Sequence, residues 1–396
     1  MPKSRPHLTP EDCLNLKSVS DAQISPDGKL VAYCVADSYK LDSKLPKSQI
    51  WIVNSDGAPA RQFTSGARAD ILPRWSPDGA WLAFLSDRAE DGRAEIYLIA
   101  RRGGEARALT KTQGNVLDLQ WSSDSARIAF LMQDPETDEE KKKKETKDDA
   151  LEFEQHPKYA RVWIADVATG AARQVTSGNA HVWEFNWSRD EREFALIVSD
   201  SPSEYDWYRA RLARVSANGG EPKTIFTPTG NKQLALPRWS PSGEAIAFIS
   251  CLWSDRGVIA GDLWTLNAKG GDARNLTAGA PRDVSTYAWS NDEKSFVVMG
   301  FERGDAAIGL IDVASGTYHR WWISGAPGKL NKDGAVSEPV QAAFMTRWWQ
   351  QFSLNANGNT IAVAREDPKN PPDVWIAQVQ NETLEWKQLT WMNPQT

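Results

Sequence analysis

Three carboxylates stand at one position of a segment that recurs along the chain. Asp21, Asp118 and Glu184 each lie four residues before a serine: Ser25, Ser122 and Ser188. Leu72, Leu236 and Thr286 hold the same place before Ser76, Ser240 and Ser290. Acids gathered at one level of a folded repeat form part of a negative ring, which favours the cationic amino terminus of a free peptide. The same acids also fit an ordinary structural role, paired with neighbouring arginines. Arg74 and Arg238, each in the string PRWSP, suit either a ligand carboxylate or carbonyl, or a hydrogen bond to an adjacent element. Glu152 and Glu154 in LEFEQH are a second acidic pair. Two residues apart on a strand, both would point the same way.

Signatures of bond-breaking chemistry are missing. The sequence has no GxSxG elbow, HExxH helix, GxxxxGK[ST] phosphate loop or EF-hand loop. Its four histidines, His7, His156, His181 and His319, are scattered over different segments. Cys13, Cys34 and Cys251 are far apart with no CxxC, which argues against a disulfide framework or a zinc site and fits a reducing compartment. No catalytic residue, metal ligand or cofactor is assigned. A net charge of −6 argues against a nucleic-acid partner. The N-terminal MPKSRPHLTPEDC lacks an apolar signal core, and no run of apolar residues is long enough to span a membrane. A cytoplasmic protein is expected.

The elements that must position these residues come from the repeat itself. In PRWSPDGAWLAF (73–84), Ser76-Pro77-Asp78-Gly79 reads as a type I turn closed by a left-handed glycine, between two antiparallel strands. The run that follows, Trp81 to Leu85, is apolar on both faces, so its sheet must be covered on both sides. Equivalent segments begin at 22, 119, 185, 237, 287 and, most weakly, 352. Between them lies a second motif of strand, Gly- or Asn-containing turn and strand, usually ending in Thr, as in EIYLIARRGGEARALT. Four short strands in a unit of roughly 50 residues mark a β-propeller blade. The fold is therefore expected to be all-β, a seven-bladed propeller of four-stranded antiparallel blades. Blades are expected near 21–66, 67–114, 115–178, 179–229, 230–280, 281–324 and 346–390.

An N-terminal extension, 1–20, is expected to carry a short helix, with Thr9 as N-cap and Pro10 at the first helical position. The charged insert 134–159 of blade three reads as a solvated loop. Nine of the 19 tryptophans recur at two fixed repeat positions, which predicts packing between blades. Trp321, Trp322, Trp348 and Trp349 fall outside that register and are candidates for an apolar docking face.

The SPDG-type repeats, TPEDCLNLKSVSDAQISPDGK at the start and WSDRGVIAGDLWTLNAKGGDARNLT in blade five together resemble the propeller half of the prolyl oligopeptidase family. They are most similar to its acylaminoacyl-peptidase and dipeptidyl-peptidase-like branch. The resemblance implies a partner α/β-hydrolase domain holding the Ser, Asp and His of the triad, absent from this sequence, so no catalytic residue carries over. It implies a propeller that gates short peptides, with Asp21, Asp118, Glu184, Glu152 and Glu154 as candidates to hold a substrate amine. In the dipeptidyl-peptidase branch the two glutamates that do so are adjacent, whereas here one residue separates them. The other expectation is a free-standing Tol-B-like or WD-repeat-like interaction scaffold.

Overall fold

The computed structural model describes residues 9–39, 46–148, 157–253, 255–324, 343–344, 351–367 and 370–393. Glu152, Glu154, Trp348 and Trp349 lie outside the described residues. The repeats fold into seven antiparallel sheets, each built from consecutive strands, as the sequence predicts. Blade two is typical, with strands Asp70–Trp75, Trp81–Glu90, Arg93–Ala100 and Arg107–Ala108 in that order. In blade seven the first strand is in two pieces, Ala343–Phe344 and Ser353–Leu354, both paired with Thr360–Asp367.

The first turn is held by its serine in blades one to six and by Asn355 in blade seven. Ser76 Oγ donates to Asp78 Oδ1 at 2.5 Å and accepts the Trp81 N–H at 2.9 Å, while Asp78 accepts the Ala80 N–H at 3.0 Å. The same network forms at Ser25, Ser122, Ser188 and Ser290. Gly79 sits at φ +69°, where glycine carries no Cβ penalty. In blades three, four and six the same left-handed position is held by Ser125, Glu191 and Glu293. Their side chains reach across to the preceding blade. Ser125 Oγ accepts the Asp78 N–H, Glu191 accepts from Ser123 Oγ at 2.6 Å and pairs with Arg127, and Glu293 accepts from Ser242 Oγ at 2.8 Å. The strained backbone is thus offset by latches between blades. The closing Thr of the second motif has an equally local cause: Thr64, Thr176, Thr277 and Thr390 each accept a third-strand N–H, at 2.9–3.0 Å.

Each blade's second strand is buried on both faces, as in Val31–Val35, Leu82–Leu85 and Phe194–Val198. Tyr33, Phe84, Phe130 and Phe248 occupy one repeat position, whereas Phe194 and Phe296 sit two residues earlier, on the same strand face. In blades two to six a tryptophan before the turn packs between blades, and three of the five add a polar tie. Trp75, Trp121 and Trp289 donate their indole N–H to Gln23 O, Arg74 O and Arg238 O of the preceding blade, at 3.0–3.2 Å. Blades one and seven close the ring by packing, without exchanging a strand. Their cores merge through Val19, Ile24 and Tyr33 with Ala362, Val374 and Ile376. Asn393 also exchanges hydrogen bonds with the Lys17 N–H and C=O, at 2.7 and 2.9 Å.

One expectation is corrected. The insert of blade three contains a helix, Asp138–Glu145, where a loop was expected. Thr137 and Glu140 form a capping box, and three acids fill the first turn, so end effects alone favour a helix without an apolar face. Trp321 and Trp322 lie within a blade, on the outermost strand Tyr318–Ile323 of blade six, and pack against the core of blade seven. Trp322 meets Trp386 edge-on at 5.7 Å. The expected N-terminal helix is present as Pro10–Asn15, capped by Thr9.

The left-handed latch makes a sharp stability prediction. Glu191→Ala removes the cross-blade bonds and keeps the backbone strain, whereas Glu191→Gly removes both. Urea denaturation is expected to show both variants below wild type, with the glycine variant more stable than the alanine variant by about 1 kcal/mol.

Candidate ligand-binding channel

The innermost strands line the axis, and a bulge recurs on them. The register slips between Ser20 and Gln23, Ile71 and Arg74, Val182 and Glu184, Ala235 and Arg238, and Val284 and Thr286. Asp21, Leu72 and Leu236 adopt positive φ there, at 51°, 57° and 52°. Bulges re-aim side chains at the rims of sheets. Asp21, Asp118 and Glu184 hold equivalent places beside these bulges, and Arg74 and Arg238 of blades two and five stand close enough to act on them electrostatically. The sequence-derived acids are therefore gathered around a shared axis, but among cations, so the lining is of mixed charge.

Two halves of the channel differ. Arg74 Nη1 forks across both oxygens of Asp21, each at 3.0 Å, and Gln23 Nε2 donates to Asp21 at 2.7 Å. Burial alone would lower the Arg74 pKa, but the Asp21 and Asp118 carboxylates hold it above its ordinary value. Blade five repeats blade two's LPRWSP sequence, and Glu184 of blade four stands to Arg238 as Asp21 stands to Arg74. Yet Arg238 and Glu184 form no ion pair. Glu184 Oε2 instead accepts the Leu236 N–H at 2.6 Å, and Arg238 donates to Pro237 O at 2.9 Å. Burial pushes Glu184 up to about 7, with the Leu236 N–H and Arg238 opposing, and burial also raises Asp118 against the pull of Arg74. Tyr287, which the sequence reading missed, donates its hydroxyl to Leu236 O at 2.6 Å and completes this side of the wall.

At the turn-side mouth, a cavity of about 330 Å³ opens among the innermost strands of blades three to six. Arg238, Tyr287, Gln120 and Asn186 line it, with Trp187 and Trp239. Gln120 Oε1 accepts the Trp187 N–H at 2.9 Å, and Asn186 Oδ1 accepts the Trp239 N–H at 2.8 Å. These amides hold adjacent blades together, and only a register comparison between blades could have singled them out.

His181 Nδ1 accepts the Ala160 N–H at 3.0 Å, and burial lowers its pKa to about 4, so the ring is neutral and engaged with the backbone. Among the described residues, no hydroxyl or thiol donates to an imidazole, and no cluster of His, Cys, Asp and Glu has metal-binding geometry. No helix among them is long and apolar enough to cross a membrane.

Comparison with known proteins places this fold. The TolB β-propeller domain (PD40) matches residues 15–152. An uncharacterized peptidase of Bacillus subtilis, YuxL, is 38% identical over 98 residues, 25% of this chain and 15% of that protein. The chain is a seven-bladed β-propeller whose N-terminal third matches the TolB propeller model and which is similar over part of its length to peptidases. Dipeptidyl-peptidase 5 of Porphyromonas endodontalis is 31% identical over 109 residues, 28% of this propeller and again 15% of the peptidase. Acylaminoacyl peptidase of Pyrococcus horikoshii superposes with a TM-score of 0.62 at 16% identity, over 97% of this propeller and 54% of that chain. At that identity the superposition speaks for fold alone. The matches thus span about one-seventh of the curated relatives and about half of the structural neighbour.

Two substitutions test the channel. Asp21→Asn keeps a side chain that tolerates positive φ but removes the charge facing partly buried Arg74. Urea unfolding is expected to show a loss of about 2 kcal/mol. Glu184→Gln tests the raised carboxyl. Because its folded pKa lies above the ordinary value, its contribution to stability is full below about 4.5 and is lost as pH rises through about 7. Glu184→Gln should therefore match wild type near pH 4.5 and exceed it at pH 8, measured by urea unfolding at both values. Arg238, Asp118, Arg256 and Tyr287 are the charged and titratable groups around it.

Proposed function

We propose that this propeller is the substrate-filtering unit of a prolyl-oligopeptidase-family serine peptidase, of acylaminoacyl- or dipeptidyl-peptidase type. Catalysis belongs to an α/β-hydrolase domain outside the chain described. The observation that carries this reading is the sequence relation to peptidases over about a quarter of the chain, in a chain whose described residues hold no hydroxyl–imidazole pair. A closed ring with a narrow charged axis suits the selection of short peptides over folded protein.

The distribution of exposed apolar groups supports a seated partner. Strand one begins, strand two ends, strand three begins and strand four ends on the same face of an antiparallel propeller. Tyr39, Tyr205, Leu252, Val258, Phe301 and Trp391 are all exposed on that face, at or just beyond these strand ends. Leu252 and Val258, at 68% and 62% exposure, belong to one loop of blade five. Apolar groups concentrated on one face mark an interaction surface. The chain enters its first strand and leaves its last one there, so a covalently linked domain would meet this face. The docking surface thus falls on loops between strands, which the tryptophan register did not single out.

The test uses a fluorophosphonate probe, which labels activated serines, and aminoacyl and acetyl-aminoacyl amides as substrates. The 396-residue chain is expected neither to label nor to hydrolyse. The polypeptide translated from the uninterrupted gene is expected to do both, and to cleave short peptides but not folded protein. Hydrolysis by the 396-residue chain, or a gene product lacking a GxSxG segment, overturns the reading.

A further inference from the structure

Arg74 and Arg238 begin from the same sequence and the same bulge but end in different states. Arg74 is satisfied by Asp21 in the preceding blade. Arg238 lies where it feels Asp118, Glu184 and the Tyr287 hydroxyl electrostatically, yet no carboxylate is within ion-pair distance and it donates to the carbonyl of its own neighbour, Pro237. Opposite charges that act on one another yet stay beyond ion-pair distance leave both signs incompletely compensated in this part-buried wall. The cavity in front of Arg238 is walled by Trp121, Trp187, Trp239 and Trp289, one from each of four successive blades. Side chains alternate along a strand, so 118 and 120, and 184 and 186, address successive levels of the same wall. Carboxylates therefore lie one level deeper than the tryptophan-walled mouth, with the Arg238 guanidinium between them.

We propose that Arg238, Glu184 and Asp118, with this tryptophan-walled cavity, form a binding site for a free α-amino acid bearing an apolar side chain. The ligand carboxylate pairs with Arg238, its ammonium turns inward to Glu184 and Asp118, and its side chain packs on the indoles at the mouth. An α-amino acid carries opposite charges a few ångströms apart, which matches an arginine and carboxylates held near each other without touching. A lone anion would leave the two acids uncompensated, and a lone cation would leave Arg238 so. The site uses residues of this chain alone, so it stands or falls independently of any hydrolase domain.

The experiment titrates the 396-residue chain at pH 8 with three compounds, followed by tryptophan fluorescence and calorimetry. They are L-leucine, isoamylamine, which is leucine without its carboxylate, and 4-methylpentanoate, which is leucine without its ammonium. Leucine is expected to bind saturably and the two halves to bind more weakly by roughly tenfold or more. Arg238→Gln should abolish the preference for leucine over isoamylamine, and Glu184→Gln should reduce its preference over 4-methylpentanoate. No saturable leucine signal, or wild-type binding of leucine no tighter than that of either half, overturns the site. So does retention of both preferences in the folded variants. The wild-type comparison needs no variant, so a substitution that failed to fold would leave the test decisive.

Discussion

A sheet with two apolar faces cannot sit at a surface, and this chain makes seven of them. The second strand of every blade is buried front and back, from Val31 in blade one to Val363 in blade seven. Burying each face is worth on the order of 25 cal/mol per Å² of apolar surface, which outweighs any single hydrogen bond in the structure. A row of such sheets would still expose one face at each end. Only a ring removes both, so the contact between blades one and seven follows from the same constraint that stacks the other six pairs. The Lys17–Asn393 exchange and the shared core of Val19, Tyr33, Ala362 and Val374 accomplish this without an exchanged strand.

Once the ring closes, the innermost strands lose the option of facing bulk water. Their polar side chains then converge on one axis, and their charges must find partners among residues from other blades. The result is uneven. The shorter Asp21 meets Arg74 directly, while Glu184 reaches the Leu236 N–H and stays apart from Arg238. Satisfaction on one side and separation on the other, within nearly identical local sequence, is what gives the channel a polar axis and a side on which a ligand can act.

Much of the architecture was legible in the residues because its causes are local. The Ser–Asp pair of each turn, the glycine at positive φ, the closing threonine and the Thr9 cap all act within about five residues of chain. The repeated tryptophans announced packing between blades. The insert at Asp138–Glu145 was misread because its charge run suggested solvation, whereas its ends carried capping signals that favour a helix. Blade six has a longer fourth strand than most, which carries Trp321 and Trp322 against blade seven.

By itself the sequence determined seven similar sheets, their turns and the level at which Asp21, Asp118 and Glu184 stand, since these depend on spacing and short-range chemistry. Only the tertiary structure decided which acid meets which arginine. It also decided that Leu252 and Val258 share a face with Trp391, and that a cavity opens before Arg238. Each of these joins residues from different blades, and their distances are set by the radius and closure of the ring, which no local pattern encodes.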